Sequence, residues 1–197
     1  KADFVTVPFD EMKLLFNQKY IEKFRTIPQG FQFDNQNLPK YTPNDTKTFV
    51  YAGTVMPGHR DPFSLIDYLL EKKYAFRFIV YTRQQHHFKK YSNLLHSQII
   101  LKDYIPREDL LKNLAQADFL VNVNTDSKDG IINAIPTKLI DYRISGRPIL
   151  SYEQSKLPKE TIVEFMKGNY QRAFVDGNFD IKITPNRSWR WIIPFHT

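Results

Sequence analysis

Residues 136–152 read PTKLIDYRISGRPILSY, and the order of residue types in this run sets the architecture. Pro136 suits the first turn of a helix, where the missing N–H has no partner to lose. Gly146 then stops the helix, and Pro148 to Tyr152 reads as a buried strand. A helix over Thr137–Ser145 followed at once by a strand over Ile149–Tyr152 is therefore expected. Lys138 and Asp141 are three apart, so the helix places both on one face just inside its N-terminus. A cation is poorly placed at that end unless an anion is also there. Together a positive helix end, a lysine and an acid make a seat for a phosphorylated, hydroxyl-rich ligand.

Upstream of this unit the chain repeats the same alternation. Strands are expected at Phe49–Ala52, Ala75–Tyr81, Gln98–Leu101 and Phe119–Val123. Helices are expected between them at Pro62–Leu70, Gln84–Leu95 and Arg107–Ala117. Strands separated by helices imply right-handed crossovers and a mainly parallel sheet covered on both faces, an α/β fold. Glu160–Met166 reads as a further helix and Phe179–Ile183 as a strand. Toward the N-terminus, Ala2–Val7 is a short apolar run, and Met12, Leu15, Phe16 and Tyr20 have helical spacing. Gln32–Thr46 is polar, carries Pro39 and Pro43, and reads as a linker or long loop.

The chain has 197 residues, enough for one domain with a good core or one domain plus fragments. It begins at Lys1 without an initiator methionine or an apolar signal run, which points to an excised or processed piece. No window reaches the roughly 18 apolar residues of a membrane span. The absence of cysteine excludes a disulfide scaffold and a thiolate metal site, and it fits a reducing, cytoplasmic setting. A net charge of +7 favours an anionic partner: a nucleotide, an anionic membrane face or a nucleic acid. The basic residues are spread rather than massed, so a solvated surface accounts for most of them.

In open parallel sheets ligands lie beyond the carboxyl ends of the strands. That rule singles out four loops: Gly53–Asp61, Thr82–Gln85, Asp103–Pro106 and Asn124–Thr137. In the first, GTVMPGHRD, Gly53 and Gly58 permit close backbone approach, while Thr54 and Arg60 offer a hydroxyl and a charged fork suited to phosphate. A tight strand-to-helix turn, with Asp61 capping the next helix, accounts for the same residues. Asp126 and Asp129, three apart with Lys128 between them, lack a third ligand nearby, so no metal is expected. His86 and His87 read as surface residues. Trp189 and Trp191, flanked by Arg187 and Arg190, read either as a stacking platform for nucleic acid or as packing of a chain end.

Two motifs carry a resemblance. Tyr51–Pro62 is similar to the "Y-A-G-S-L-Y-P-G-x-R-D-P" opening of the C-terminal domain of GT-B glycosyltransferases. Pro136–Ile149 resembles their "P-S-K-L-x-E-Y-x-x-x-G-x-P-I" nucleotide-sugar segment. Thr26–Gly30, TIPQG, looks like the approach to their interdomain hinge. The resemblance implies a Rossmann-like C-terminal half of a GT-B fold. Residues 1–30 would be the end of the N-terminal domain and hinge, 31–46 a linker, and 47–197 the nucleotide-sugar-binding domain. It implies metal-independent, retaining transfer of a sugar from a nucleotide sugar, UDP- or GDP-linked, to an acceptor hydroxyl in polysaccharide biosynthesis. Nucleotide sugar is then a substrate and no cofactor is needed.

By the same resemblance, Arg60 and Lys138 hold the diphosphate and act in catalysis. Gly53, Thr54, Asn133, Ala134, Ile135 and Thr137 line the donor seat. Tyr104 and Ile105 lie beside the base, and Asp141 accepts from the ribose. Two positions depart from the family pattern: Asn133 stands where a glutamate is usual, and Asp141 is one methylene shorter than the usual glutamate. Partners implied are the missing N-terminal domain, without which the chain is expected to be inactive, and an anionic inner membrane face. Nucleic acid is not expected. Two rivals remain: a nucleotide-binding module without transferase activity, and a basic protein that binds nucleic acid.

Overall fold

The computed structural model describes residues 2–8, 10–27, 30–31, 37–126, 137–169 and 190–191. The chain divides into two compact units, one of Lys1–Asn37, Ser127–Ala134 and Phe179–Thr197, the other of Leu38–Asp126 and Ile135–Asn178.

In the first unit β1 (Val5–Val7) pairs in parallel with β2 (Phe24–Thr26), and β3 (Gly30–Phe31) pairs with a strand near the C-terminus described below. The helical spacing of Met12, Leu15, Phe16 and Tyr20 is not realised as one amphipathic helix. Two short 3-10 segments, Asp10–Leu15 and Gln18–Lys23, take its place. Asn17 separates them, its side chain accepting from the Lys19 N–H. Leu14, Leu15, Phe16 and Tyr20 are all exposed, so no core rewards a longer helix here.

The second unit holds the main sheet. In chain order its elements are β4 (Lys47–Ala52), α1 (Phe63–Glu71), β5 (Phe76–Tyr81), a 3-10 segment (Gln85–Leu94) and β6 (Ile99–Lys102). Then come α2 (Arg107–Ala115), β7 (Phe119–Asn124), α3 (Lys138–Ile144), β8 (Ile149–Glu153) and α4 (Lys159–Lys167). The last strand, β9 (Arg190–Trp191), is the antiparallel partner of β3 in the first unit. All pairs in the five-stranded sheet are parallel, in the order β6-β5-β4-β7-β8. The chain thus starts at the centre, winds out to one edge, and crosses back to build the other half. This is the doubly wound, Rossmann-like arrangement, with its switch point between β4 and β7.

Alternation along the strands sends side chains to opposite faces. Phe49, Tyr51, Phe78, Val80, Phe119, Val121, Leu150 and Tyr152 share one face and one apolar cluster. α1 contributes Leu65, Ile66 and Leu69 to it, the 3-10 segment Phe88 and Tyr91, and α4 Ile162 and Phe165. Phe49 sits at its centre, its ring 5.9 Å from Phe78 and 4.8 Å from Phe119, which in turn lies 4.8 Å from Phe165. The intervening residues Val50, Ala52 and Leu120 turn to the other face, the side of α2 and α3 with buried Leu111, Leu114, Leu139, Ile140 and Tyr142.

Two expected features differ. The helix over Gln84–Leu95 is a 3-10 segment broken at Tyr91. Its buried residues, Phe88 and Tyr91, are three apart, the spacing that a three-residue turn superposes on one side. Residues 38–46 are irregular, as expected of a linker, yet they are pinned to the amino ends of the strands. Asp118, fully buried, accepts from the Tyr41 hydroxyl, from Asn44 Nδ2 at 2.9 Å and from the Thr48 N–H at 2.8 Å. The strand expected at Phe179–Ile183 lies outside the described residues.

Candidate functional site

The switch point opens because β4 and β7 pair only at Phe49↔Phe119 and Val50↔Leu120, whereas β4 and β5 pair along all six residues. Past Val50 the two central strands no longer bond to each other. Tyr142, from α3, fills the gap: its hydroxyl accepts from the Ala52 N–H at 2.9 Å and donates to the Val121 carbonyl at 3.2 Å. Sequence reasoning did not single out this tyrosine. Its signal was its place four residues after Lys138, one helical turn along the same face.

Gly53 leaves β4 with φ +138°, its N–H still donating to the Tyr81 carbonyl of β5. The loop that follows closes on itself through paired bonds between Met56 and Arg60, with Gly58 at φ +75° at its tip. Asp61 fastens it. Its buried carboxylate accepts from Gly58 N at 2.6 Å and from Phe63 N, at the start of α1, at 2.9 Å. The tight strand-to-helix turn is therefore present: Asp61 bonds the start of the helix, and in doing so it fixes the backbone beside Arg60. Gln154, at the end of β8, ties in the same loop by accepting from the Asp61 N–H at 3.0 Å.

Lys138 is not a surface lysine. It is the first residue of α3, a helix of seven residues rather than the nine expected, and its side chain runs inward across the end of β4. A Cβ placed on Gly53 would lie 3.8 Å from Lys138 Cδ, and Lys138 Nζ lies 4.3 Å from the centre of the Tyr51 ring. Lys138 Nζ and Arg60 Nε are both buried, and neither has a hydrogen-bond partner among the described residues. Burial, and then the neighbouring Arg60 charge, pull the Lys138 pKa down to about 7. Burial pushes the Tyr51 phenol up, so it stays protonated; its hydroxyl donates to the Thr54 carbonyl at 2.7 Å. Two buried basic nitrogens without a hydrogen-bond partner among the described residues are a costly arrangement. An anion between them would relieve it.

Asp141 lies one turn further along α3 and is held from α2. Arg107 Nε donates to Asp141 Oδ1 at 2.9 Å, and an Arg107 terminal nitrogen is 2.7 Å from the same oxygen. The ion pair with Arg107 is not among the contacts expected of Asp141 from the sequence. The clue was available: Arg107 opens α2, an unfavourable end for a cation, by the reasoning already applied to Lys138. Tyr104, in the turn before α2, is exposed, and the Arg83 guanidinium lies 4.8 Å from its ring centre. Ile105 is half-buried beside it, and Thr54 and Thr137 are exposed. Asn133, Ala134, Ile135 and Pro136 lie outside the described residues, as do Asp129 and Trp189. Asp126 accepts from Ser155 N and Oγ at 2.8 and 2.9 Å. His86 and His87 lie side by side with tilted rings, their centres 4.0 Å apart.

Among the described residues no group of three or more His, Asp or Glu is placed to hold a metal ion. Nor is any helix among them long and apolar enough to cross a membrane.

No family model matches the chain, and no curated protein does. Among solved structures, a similar one is described as the glycotransferase of kitacinnamycin, at 13% identity and a TM-score of 0.37. The match takes in 84% of this chain and 40% of that one, so the chain spans well under half the length of that enzyme.

Proposed function

We propose that this chain binds the diphosphate of a nucleotide-sugar donor and is the donor-binding part of a glycosyltransferase. One observation carries the reading: Arg60 Nε and Lys138 Nζ are buried at the switch point without a hydrogen-bond partner among the described residues, beside a glycine that clears the backbone. Open parallel sheets take their ligands at this place. In this reading Arg60 and Lys138 meet the charge of the bound diphosphate and, as the sugar bond breaks, the charge developing on the leaving group. Asp141 accepts from ribose hydroxyls, and Tyr104 and Ile105 border the base. In this reading the acceptor site and the remaining catalytic groups belong to a second domain. The resemblance of Tyr51–Pro62 and Pro136–Ile149 to GT-B motifs supports the class of reaction.

The test is a titration of the full chain with UDP, GDP and ADP, and separately with single- and double-stranded oligonucleotides, at rising salt. The reading expects one diphosphate to bind at a single site with weak salt dependence. Oligonucleotide binding that falls steeply with salt, with no diphosphate bound, would mean that the basic surface is what matters.

A further inference from the structure

Asp141 is gripped on one side only. Both guanidinium contacts from Arg107 fall on Oδ1, and among the described residues no hydrogen bond reaches Oδ2. The Asp141 side chain is 20% exposed, so that second oxygen is not sealed in. Arg107 follows directly on the turn Asp103–Pro106, while Asp141 shares α3 with Lys138. The ion pair therefore ties the turn proposed to border the base to the helix proposed to hold the phosphates. As a crosslink at 39% and 20% exposure it adds little to stability, because solvent screens such pairs. Its geometry suits another task. Two donors on one oxygen anchor that end of the carboxylate and narrow its rotation, which leaves the other oxygen to accept from a hydroxyl.

We propose that Arg107 is a positioning residue that sets the Asp141 carboxylate for a ribose diol, so that the site selects ribonucleoside over 2′-deoxyribonucleoside diphosphates. The proposal rests on the donor-site reading above and adds to it a residue and a discrimination. Asp141 has a shorter reach than a glutamate and less freedom to find its partner. A fixed orientation makes up for that by removing the entropy of the search.

The experiment is calorimetry on the full chain with UDP, GDP and ADP and their 2′-deoxy counterparts. The proteins are wild type, Arg107→Ala, Arg107→Lys and Asp141→Asn. A charge-assisted hydrogen bond to one hydroxyl predicts a wild-type preference for the ribonucleotide of about 10-fold or more. Arg107→Ala should bring that ratio close to 1, Arg107→Lys should restore part of it, and melting temperatures should stay within a few degrees. Should Arg107→Ala fail to fold, Arg107→Lys and Asp141→Asn carry the same reading, with Asp141→Asn abolishing the preference. If Arg107→Ala weakened ribo- and deoxyribonucleotides by the same factor, or left the ratio unchanged, Arg107 would have no such role while the diphosphate site stood. If the wild type bound none of the diphosphates, both the donor-site reading and this inference would fall.

Discussion

Lys138 packs its aliphatic stem over Gly53, with Cδ 3.8 Å from where a glycine Cβ would stand. The contact itself would tolerate a methyl group. The backbone would not: at φ +138° any L side chain is strained. Gly53→Ala should therefore destabilise the fold by about 1–3 kcal/mol, chiefly through the backbone. Chemical denaturation checks this, and an unchanged midpoint would show that the turn relaxes without cost.

Tyr142 substitutes for the sheet hydrogen bonding that β4 and β7 give up past Val50. In Tyr142→Phe the Ala52 N–H stays buried and loses its acceptor, a loss of about 1–3 kcal/mol. Urea unfolding should show a lower midpoint with the same slope. A change below about 0.5 kcal/mol would mean that the Ala52 N–H finds another partner.

Lys138 predicts an unusual pH response. Its folded pKa of about 7 lies below its ordinary value of 10.5. Below pH 7 the folded and unfolded chains both hold the proton, and above 10.5 neither does. Between those limits the unfolded chain holds a proton that the folded chain has lost, so stability should rise with pH across that window. Among the described residues the groups facing Lys138 are Arg60, which deepens the depression, and Tyr51, kept protonated by burial. Lys138→Met should flatten the rise and be more stable than wild type at pH 6, by an amount on the order of a few kcal/mol. Thermal melts from pH 6 to 10 decide this; parallel curves for the two proteins would contradict it.

A bound anion should reverse that shift, since an adjacent negative charge favours the protonated amine. Binding of a diphosphate above pH 7 then takes up a proton, and affinity should fall between pH 7 and 9, clear of the phosphate's own titration near pH ~6. Calorimetry in buffers of different ionisation enthalpy would reveal the proton. A pH-independent affinity with no proton uptake would remove Lys138 from the site.

The alternating strands and helices were legible because each strand carries an apolar run and many boundaries carry a proline, a glycine or an acid. Gly146, at φ +67° just past α3, and Glu108 with Asp109 in the first turn of α2 behave as their residue types require. What the sequence did not show is what depends on depth and on distant partners. Spacing put Lys138 near a helix start, but only packing against Gly53 and Tyr51 buries it. The Arg107–Asp141 pair joins residues 34 apart, and Asp118 gathers donors up to 77 residues away. The apolar spacing of Met12 to Tyr20 misled because periodicity reports a face, and here Leu15, Phe16 and Tyr20 on that face stay exposed.

The central claim is that Arg60 and Lys138 are a diphosphate seat, and one calorimetric comparison tests it most directly. Wild type, Arg60→Ala, Lys138→Ala and Asp141→Ala are titrated with a nucleoside diphosphate and with the matching nucleoside. Removing either basic residue should weaken the diphosphate by about 10- to 100-fold and leave the nucleoside within about two-fold, because only the diphosphate carries the charge they meet. Asp141→Ala should weaken both ligands, since both carry the ribose. Equal losses for the two ligands in Lys138→Ala and Arg60→Ala, or no loss for either, would contradict the account.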